Sequence, residues 1–232
     1  MTNGRSQVSR SAAKIVKKLL GRLRRAPVAA GTIGVPDIAL EDSGFFSSLF
    51  TDQEHDTQPV VLWRARQAAI QATPFDRQRG QALFAELWGA DPMTAGLPAR
   101  SMARLTQFLD FVQVPANQQV IGQDEQGNYM LLVLEGLVAI DREQPWGGMT
   151  RLAEARPGDL LGEMSFLDAG VRFSACRTLQ VTTLAVLEAG RLDDLIQDEP
   201  QLASTFLASL ARRLSLRMRH VSTCLSALLW QG

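Results

Sequence analysis

Hydrophobic positions along the chain follow two rhythms, and the change from one to the other divides the molecule. Up to about residue 100 the rhythm is helical. Val8, Ala12, Ile15, Val16, Leu19 and Leu23 recur every three or four positions, while Arg10, Lys14, Lys17, Lys18, Arg24 and Arg25 lie mostly elsewhere on the wheel. That spacing predicts a basic amphipathic helix over 1–26, ended by Pro27. Residues 27–59 hold Pro27, Pro36 and Pro59 without a sustained period and read as a linker, in which Phe45, Phe46, Leu49 and Phe50 form an apolar patch free to dock on the domain or on something else. Helical spacing returns over 60–100 through Val61, Trp63, Ile70, Leu83, Phe84 and Leu87, with a break at Pro74.

After a short helix over Met102–Phe111 the rhythm quickens. Brief apolar runs at Val112–Val114, Val120–Ile121, Tyr129–Leu134, Leu137–Ile140, Met149–Ala153 and Val181–Leu187 are separated by turn residues, among them Gly127-Asn128 and Gly147-Gly148. Strands this short and this close predict a small antiparallel barrel or sandwich over 101–198, not a parallel sheet with crossover helices. From Gly190 the helical rhythm resumes. A long helix is expected over 199–232, with Leu202, Phe206, Leu210, Leu214, Met218 and Val221 on one stripe.

Composition narrows the function classes. The 232 residues are 46% hydrophobic and 21% charged, ordinary for a globular chain, and no apolar run reaches the ~18 residues of a membrane span. A cytoplasmic protein is expected. Charge is balanced overall but not locally: Arg5–Arg25 carries eight bases and no acid, leaving 16 bases against 24 acids elsewhere. The basic head suits an anionic membrane surface, at which the protein would be peripheral, or an acidic protein partner or nucleic acid. A solvated tail is the plainer reading. Cys176, Cys224, His55 and His220 lack ligand spacing, so neither a metal nor a disulfide is expected. No nucleophile has an activating base in a recognised motif, so an enzyme is not expected.

Between two strand signals lies RPGDLLGEMSFLDAGVRFSAC, Arg156–Cys176. A turn at Pro157-Gly158 leads to Gly162, where the missing side chain lets a ligand approach the backbone closely. The amides of Glu163, Met164 and Ser165 would then open a one-turn helix, and unpaired amides at a helix start favour a phosphate. Arg172 can return a guanidinium to the same anion in a charge-assisted contact. Taken alone, a Glu and an Arg nine residues apart are usually a surface pair worth about 0–1 kcal/mol.

The stretch resembles the phosphate-binding cassette of the cyclic-nucleotide-binding domain family, found in catabolite-activator-type regulators and in cyclic-nucleotide-dependent kinases and channels. The resemblance extends colinearly through VPANQQVIGQDEQGNYMLLVLEG upstream and TLAVLEAGRLDDLI downstream. It implies an α+β fold, an antiparallel β jelly-roll barrel flanked by helices, here with a mostly helical N-terminal extension. It also implies a regulatory protein that binds a cyclic nucleotide, cAMP in the simplest case, with cGMP or a cyclic dinucleotide as alternatives, and that needs no cofactor. The ligand site would comprise Gly162, Glu163, Met164, Ser165, Arg172, Phe173 and Ser174, with Glu163 accepting from the ribose 2′-hydroxyl. The C-terminal helix would close over the base and pair with its twin in a homodimer, or simply pack on its own barrel. No helix-turn-helix follows that helix before Gly232, so sequence-specific DNA binding is not expected. Phe173 departs from the small residue usual after the arginine: its ring either obstructs the phosphate or turns away under the cassette helix. In the first case the chain is a ligand-independent scaffold built on a degenerate form of the fold.

Overall fold

Strand β6, Tyr129–Glu135, organises the molecule because both of its faces are buried. Successive side chains of a strand point to opposite faces. Tyr129, Leu131 and Val133 enter one apolar cluster, while Met130, Leu132 and Leu134 enter another. This explains why the run is hydrophobic without alternation. The computed structural model describes residues 44–50, 59–92 and 94–230; the basic helix predicted over 1–26 lies outside them, as does most of the segment read as a linker.

Two sheets share the first cluster. One has the order β2 (Thr73–Pro74), β3 (Asp110–Val114), β11 (Thr182–Glu188), β6, β9 (Leu160–Leu161), and the other β4 (Gln119–Ile121), β10 (Ala175–Thr178), β7 (Val138–Glu143), β8 (Met149–Ala155). All pairings in both are antiparallel. Val112, Leu131, Val133 and Val186 from one sheet meet Val120, Ile121, Val138 and Ile140 from the other, so the core is the interior of a β jelly-roll barrel rich in β-branched residues. Helices other than Trp63–Ala69 cover the outer face of the five-stranded sheet. There Phe84 and Trp88 of α3 (Arg77–Gly89) stack at 5.3 Å, and Trp88 stacks on Phe206 at 5.2 Å.

The apolar runs of the barrel became strands, and Gly147 and Gly148 turn with positive φ as expected. Three expectations are corrected. Gly127 does not turn: it lies in β5, Gln126–Gly127, paired in parallel with β1, Val60–Val61. The helix predicted to reach Phe111 stops earlier, as α4 (Ala99–Leu105) and a 3-10 turn at Thr106–Phe108, because Phe111 is taken up by β3. The segment 60–74 is less helical than its spacing suggested. Only α2, Trp63–Ala69, is a helix there, and β1 and β2 on either side join the barrel's strands.

Within the stretch read as a linker, the aromatic patch docks as the short helix α1, Phe45–Ser48. Its first amides, of Phe46 and Ser47, donate to the two carboxylate oxygens of Asp193 at 2.8 and 2.7 Å. Asp193 belongs to α6, Ala189–Asp198, and a side chain at Gly44 would run into its carboxylate. Phe46 also lies parallel to Phe166 at 6.2 Å.

The last helix, α7, is Pro200–Trp230. The described residues up to Arg212 pack as one unit, in which Leu202, Ala203, Phe206 and Leu210 are buried on the outer core. The stripe therefore splits. Phe206 and Leu210 pack on the chain's own domain, whereas Met218 and Val221 in the helix beyond Arg212 are exposed.

Candidate functional site

The cassette begins where β9 ends. Gly162 takes φ +75°, a left-handed conformation that glycine adopts without strain, and a side chain there would collide with the Arg172 guanidinium. Helix α5, Glu163–Asp168, starts at once with no side-chain cap. Its first rung is Phe166 N–H to the Gly162 carbonyl at 3.1 Å, so the amides of Met164 and Ser165 lie ahead of the helical ladder. Phe166 is fully buried in the outer core and anchors the helix.

Arg172 returns to this helix from the far side of the loop. Its main chain is clamped to the β4–β5 loop: its N–H donates to the Glu125 carbonyl, and its carbonyl accepts from Asp124 N–H, both at 2.8 Å. Its side chain is 1% exposed. The guanidinium donates to the Gly162 carbonyl at 2.5 Å, Ser165 Oγ at 2.6 Å, the Gly127 carbonyl at 3.0 Å and the Tyr129 carbonyl. All four acceptors are uncharged, and the buried Nε has no partner. The Tyr129 ring lies 5.0 Å from the guanidinium carbon. Burial pulls the guanidinium below its ordinary pKa, against the opposing influence of Tyr129, Glu125, Cys176 and Glu163. Burial likewise pushes the Tyr129 hydroxyl up to about 12, and that hydroxyl donates to the Val120 carbonyl at 2.8 Å.

A buried cation held by neutral dipoles is only partly compensated, which disposes it toward an anion. Of the predicted site residues, Gly162, Ser165 and Arg172 are brought into direct contact, and Glu163 is buried on the same short helix. Met164 is exposed and Ser174 half-buried. Phe173 follows neither course expected of it. Its ring is 60% exposed and lies under the Arg142 guanidinium at 4.1 Å, while Arg142 also donates to the Phe173 carbonyl. It neither fills the space at Arg172 nor packs under α5. Arg172 and Phe173 lie in the bend that precedes β10, where the Arg172 side chain is buried and the next one is exposed.

Sequence reasoning missed the support behind the arginine. Glu125 accepts from Gly122 N–H at 2.7 Å and is ion-paired with Arg66 of α2. Trp63 of the same helix packs edgewise on Tyr129 at 5.1 Å. Tyr129 opens a strand signal and was visible as such. Nothing local marks Trp63 or Arg66, whose partners are supplied by the fold.

Residues 111–199 match the family model described as "Cyclic nucleotide-binding domain". The CRP-like cAMP-activated global transcriptional regulator of Mycobacterium tuberculosis is 31% identical over 119 residues, 51% of this chain and 53% of its own length. The chain thus spans about half the length of that relative. A cyclic nucleotide-binding domain from Methylobacillus flagellatus superposes with a TM-score of 0.60 at 23% identity, covering 64% of this chain and 84% of that one, a likeness of fold. The catabolite activator protein of Thermus thermophilus gives a TM-score of 0.50 at 29% identity, over 59% of this chain and 63% of that one.

Proposed function

We propose, from the premise that residues 111–199 of this chain are a cyclic nucleotide-binding domain, that the protein is a cyclic-nucleotide-sensing regulator of the cytoplasm and not an enzyme. The observation that carries this reading is the buried Arg172 guanidinium, bonded only to neutral acceptors and with its Nε unpaired, beside the uncapped start of α5. A cyclic monophosphate fits such a seat. The amides of Met164 and Ser165 and the guanidinium supply donors to its charged oxygens, and Glu163 takes the ribose 2′-hydroxyl. cAMP is the simplest ligand, in keeping with the CRP-like relative.

Binding requires Arg172 to exchange part of its present set of acceptors for phosphate oxygens. The Gly162 carbonyl is one of them, and it also receives the first rung of α5. Ligand entry is thereby coupled to the position of that helix. Phe166 of α5 shares the outer core with Leu202, Phe206 and Leu210, so a shift of α5 biases the first turns of α7, the route to a signal. Pairing of two copies through the exposed apolar stripe of α7 beyond Arg212 is the form in which that signal would be read.

A second reading, a ligand-independent scaffold, draws on the same arginine: its protein acceptors already occupy much of its donor capacity. Calorimetric titration of the purified chain with cAMP, cGMP and cyclic di-GMP separates the two. Saturable heat with one of them is expected. A folded sample that gives no heat with any would leave the scaffold.

A further inference from the structure

The cassette arginine has a carboxylate close at hand that it does not use. Glu125 lies on the loop whose main chain clamps Arg172, with its own carbonyl bonded to the Arg172 N–H at 2.8 Å. Its carboxylate instead accepts from Gly122 N–H and pairs with Arg66, and both side chains are largely buried, at 15% and 18% exposure, where salt screens poorly. Arg66 lies outside the residues that match the family model. It comes from α2, which β1 ties to β5 and Trp63 ties to Tyr129, so its position relative to the loop is set from two sides.

We propose that Arg66 is a positioning residue for the anion seat: by taking up the charge of Glu125 it leaves the Arg172 guanidinium bonded to neutral acceptors, which a phosphate can displace. This deepens the reading of the site as a cyclic-nucleotide seat and rests on it. Without Arg66 the Glu125 carboxylate would act against the ligand in two ways. It would compete for Arg172, and it would repel the incoming anion across a poorly solvated gap. The N-terminal extension would then be part of the sensor, because removing or shifting α2 changes the charge beside the seat without touching the ligand. Arg172 has its desolvation cost offset in part by Glu125 nearby, in line with the opposing influences on its proton affinity.

The test uses the full chain and calorimetry with cAMP, or with whichever of cGMP and cyclic di-GMP the wild type binds. Arg66→Gln keeps the length and a donor but removes the charge, and is expected to bind roughly tenfold more weakly. Arg66→Lys stays within about threefold of wild type, and the double variant R66Q/E125Q returns to that range, because the carboxylate that needed neutralising is gone. Glu125→Gln alone keeps an acceptor for Gly122 N–H and binds more tightly than wild type. Equal weakening of R66Q and R66Q/E125Q would mean that Arg66 matters only for packing, and would overturn the proposal. So would wild-type affinity in R66Q, which leaves the cyclic-nucleotide reading itself standing. Should R66Q fail to unfold cooperatively on heating, E125Q decides: weaker binding by that variant overturns the proposal. A wild type that binds none of the three ligands removes both readings together.

Discussion

Among the buried charged residues of this domain, Asp193 and Arg172 sit on opposite terms. Asp193, in the helical layer, is 5% exposed and its two oxygens each accept from an amide at the start of α1. Arg172, at the end of the barrel, is 1% exposed and bonded to three carbonyls and a hydroxyl, with one nitrogen unpaired. The carboxylate meets the positive end of a peptide run and is fully served there. The guanidinium is hydrogen-bonded only to neutral acceptors, which together with the nearby Glu125 and Glu163 repay part of its desolvation. The contrast is between a charge whose hydrogen-bonding is met by the fold and one with a nitrogen left unpaired.

The sharpest way to break that contrast is to delete each charge and read both stability and binding. Arg172→Ala is expected to weaken cyclic-nucleotide binding by at least about a hundredfold, since truncating a buried charged contact typically costs 2–5 kcal/mol. The fold should stand, with cooperative unfolding kept in denaturant titration, although the buried acceptors left unpaired cost about 1–3 kcal/mol of unfolding free energy. Unchanged affinity with a large loss of stability would put Arg172 in the same class as Asp193.

Asp193→Ala is expected to do the reverse, at a smaller scale. Two amides of α1 lose their acceptor, and the loss of a helix cap with buried donors left over costs about 2 kcal/mol of unfolding free energy. Cyclic-nucleotide affinity should stay within about threefold of wild type. A tenfold loss of affinity without destabilisation would instead make α1 part of the binding machinery, through the contact of Phe46 with Phe166.

The same pair explains what the sequence made legible. That Gly162, Ser165 and Arg172 come together, with Glu163 on the same short helix, was readable because they fall within one short stretch ordered as turn, glycine, helix and arginine. The barrel was readable because β-branched runs with turn residues between them report strand burial directly, as in β6 and β11. Strands β5, β9 and β10 were not, since two to four residues are too few to show a period. Asp193 and Arg66 were invisible for a different reason. Their partners lie 147 and 59 residues away in the chain, and no local pattern marks a carboxylate that will cap a distant helix or an arginine that will neutralise a distant glutamate.

Phe173 gives the smallest expected effect, and it tests the line between the buried and exposed sides of the bend before β10. The ring is an outward neighbour of an inward arginine, stacked under the Arg142 guanidinium and otherwise open to solvent. An exposed cation–π contact contributes about 0.5–1 kcal/mol, so Phe173→Ala should lower the unfolding free energy by no more than that. Cyclic-nucleotide affinity should stay within about threefold, because the ring occupies none of the space at Arg172 and Arg142 keeps its bond to the residue's carbonyl. A tenfold gain in affinity on calorimetry would mean that the ring swings across the seat when the ligand approaches. The exposed position would then be one of two, and the reading of Arg172 as an open cation would need that second position to be accounted for.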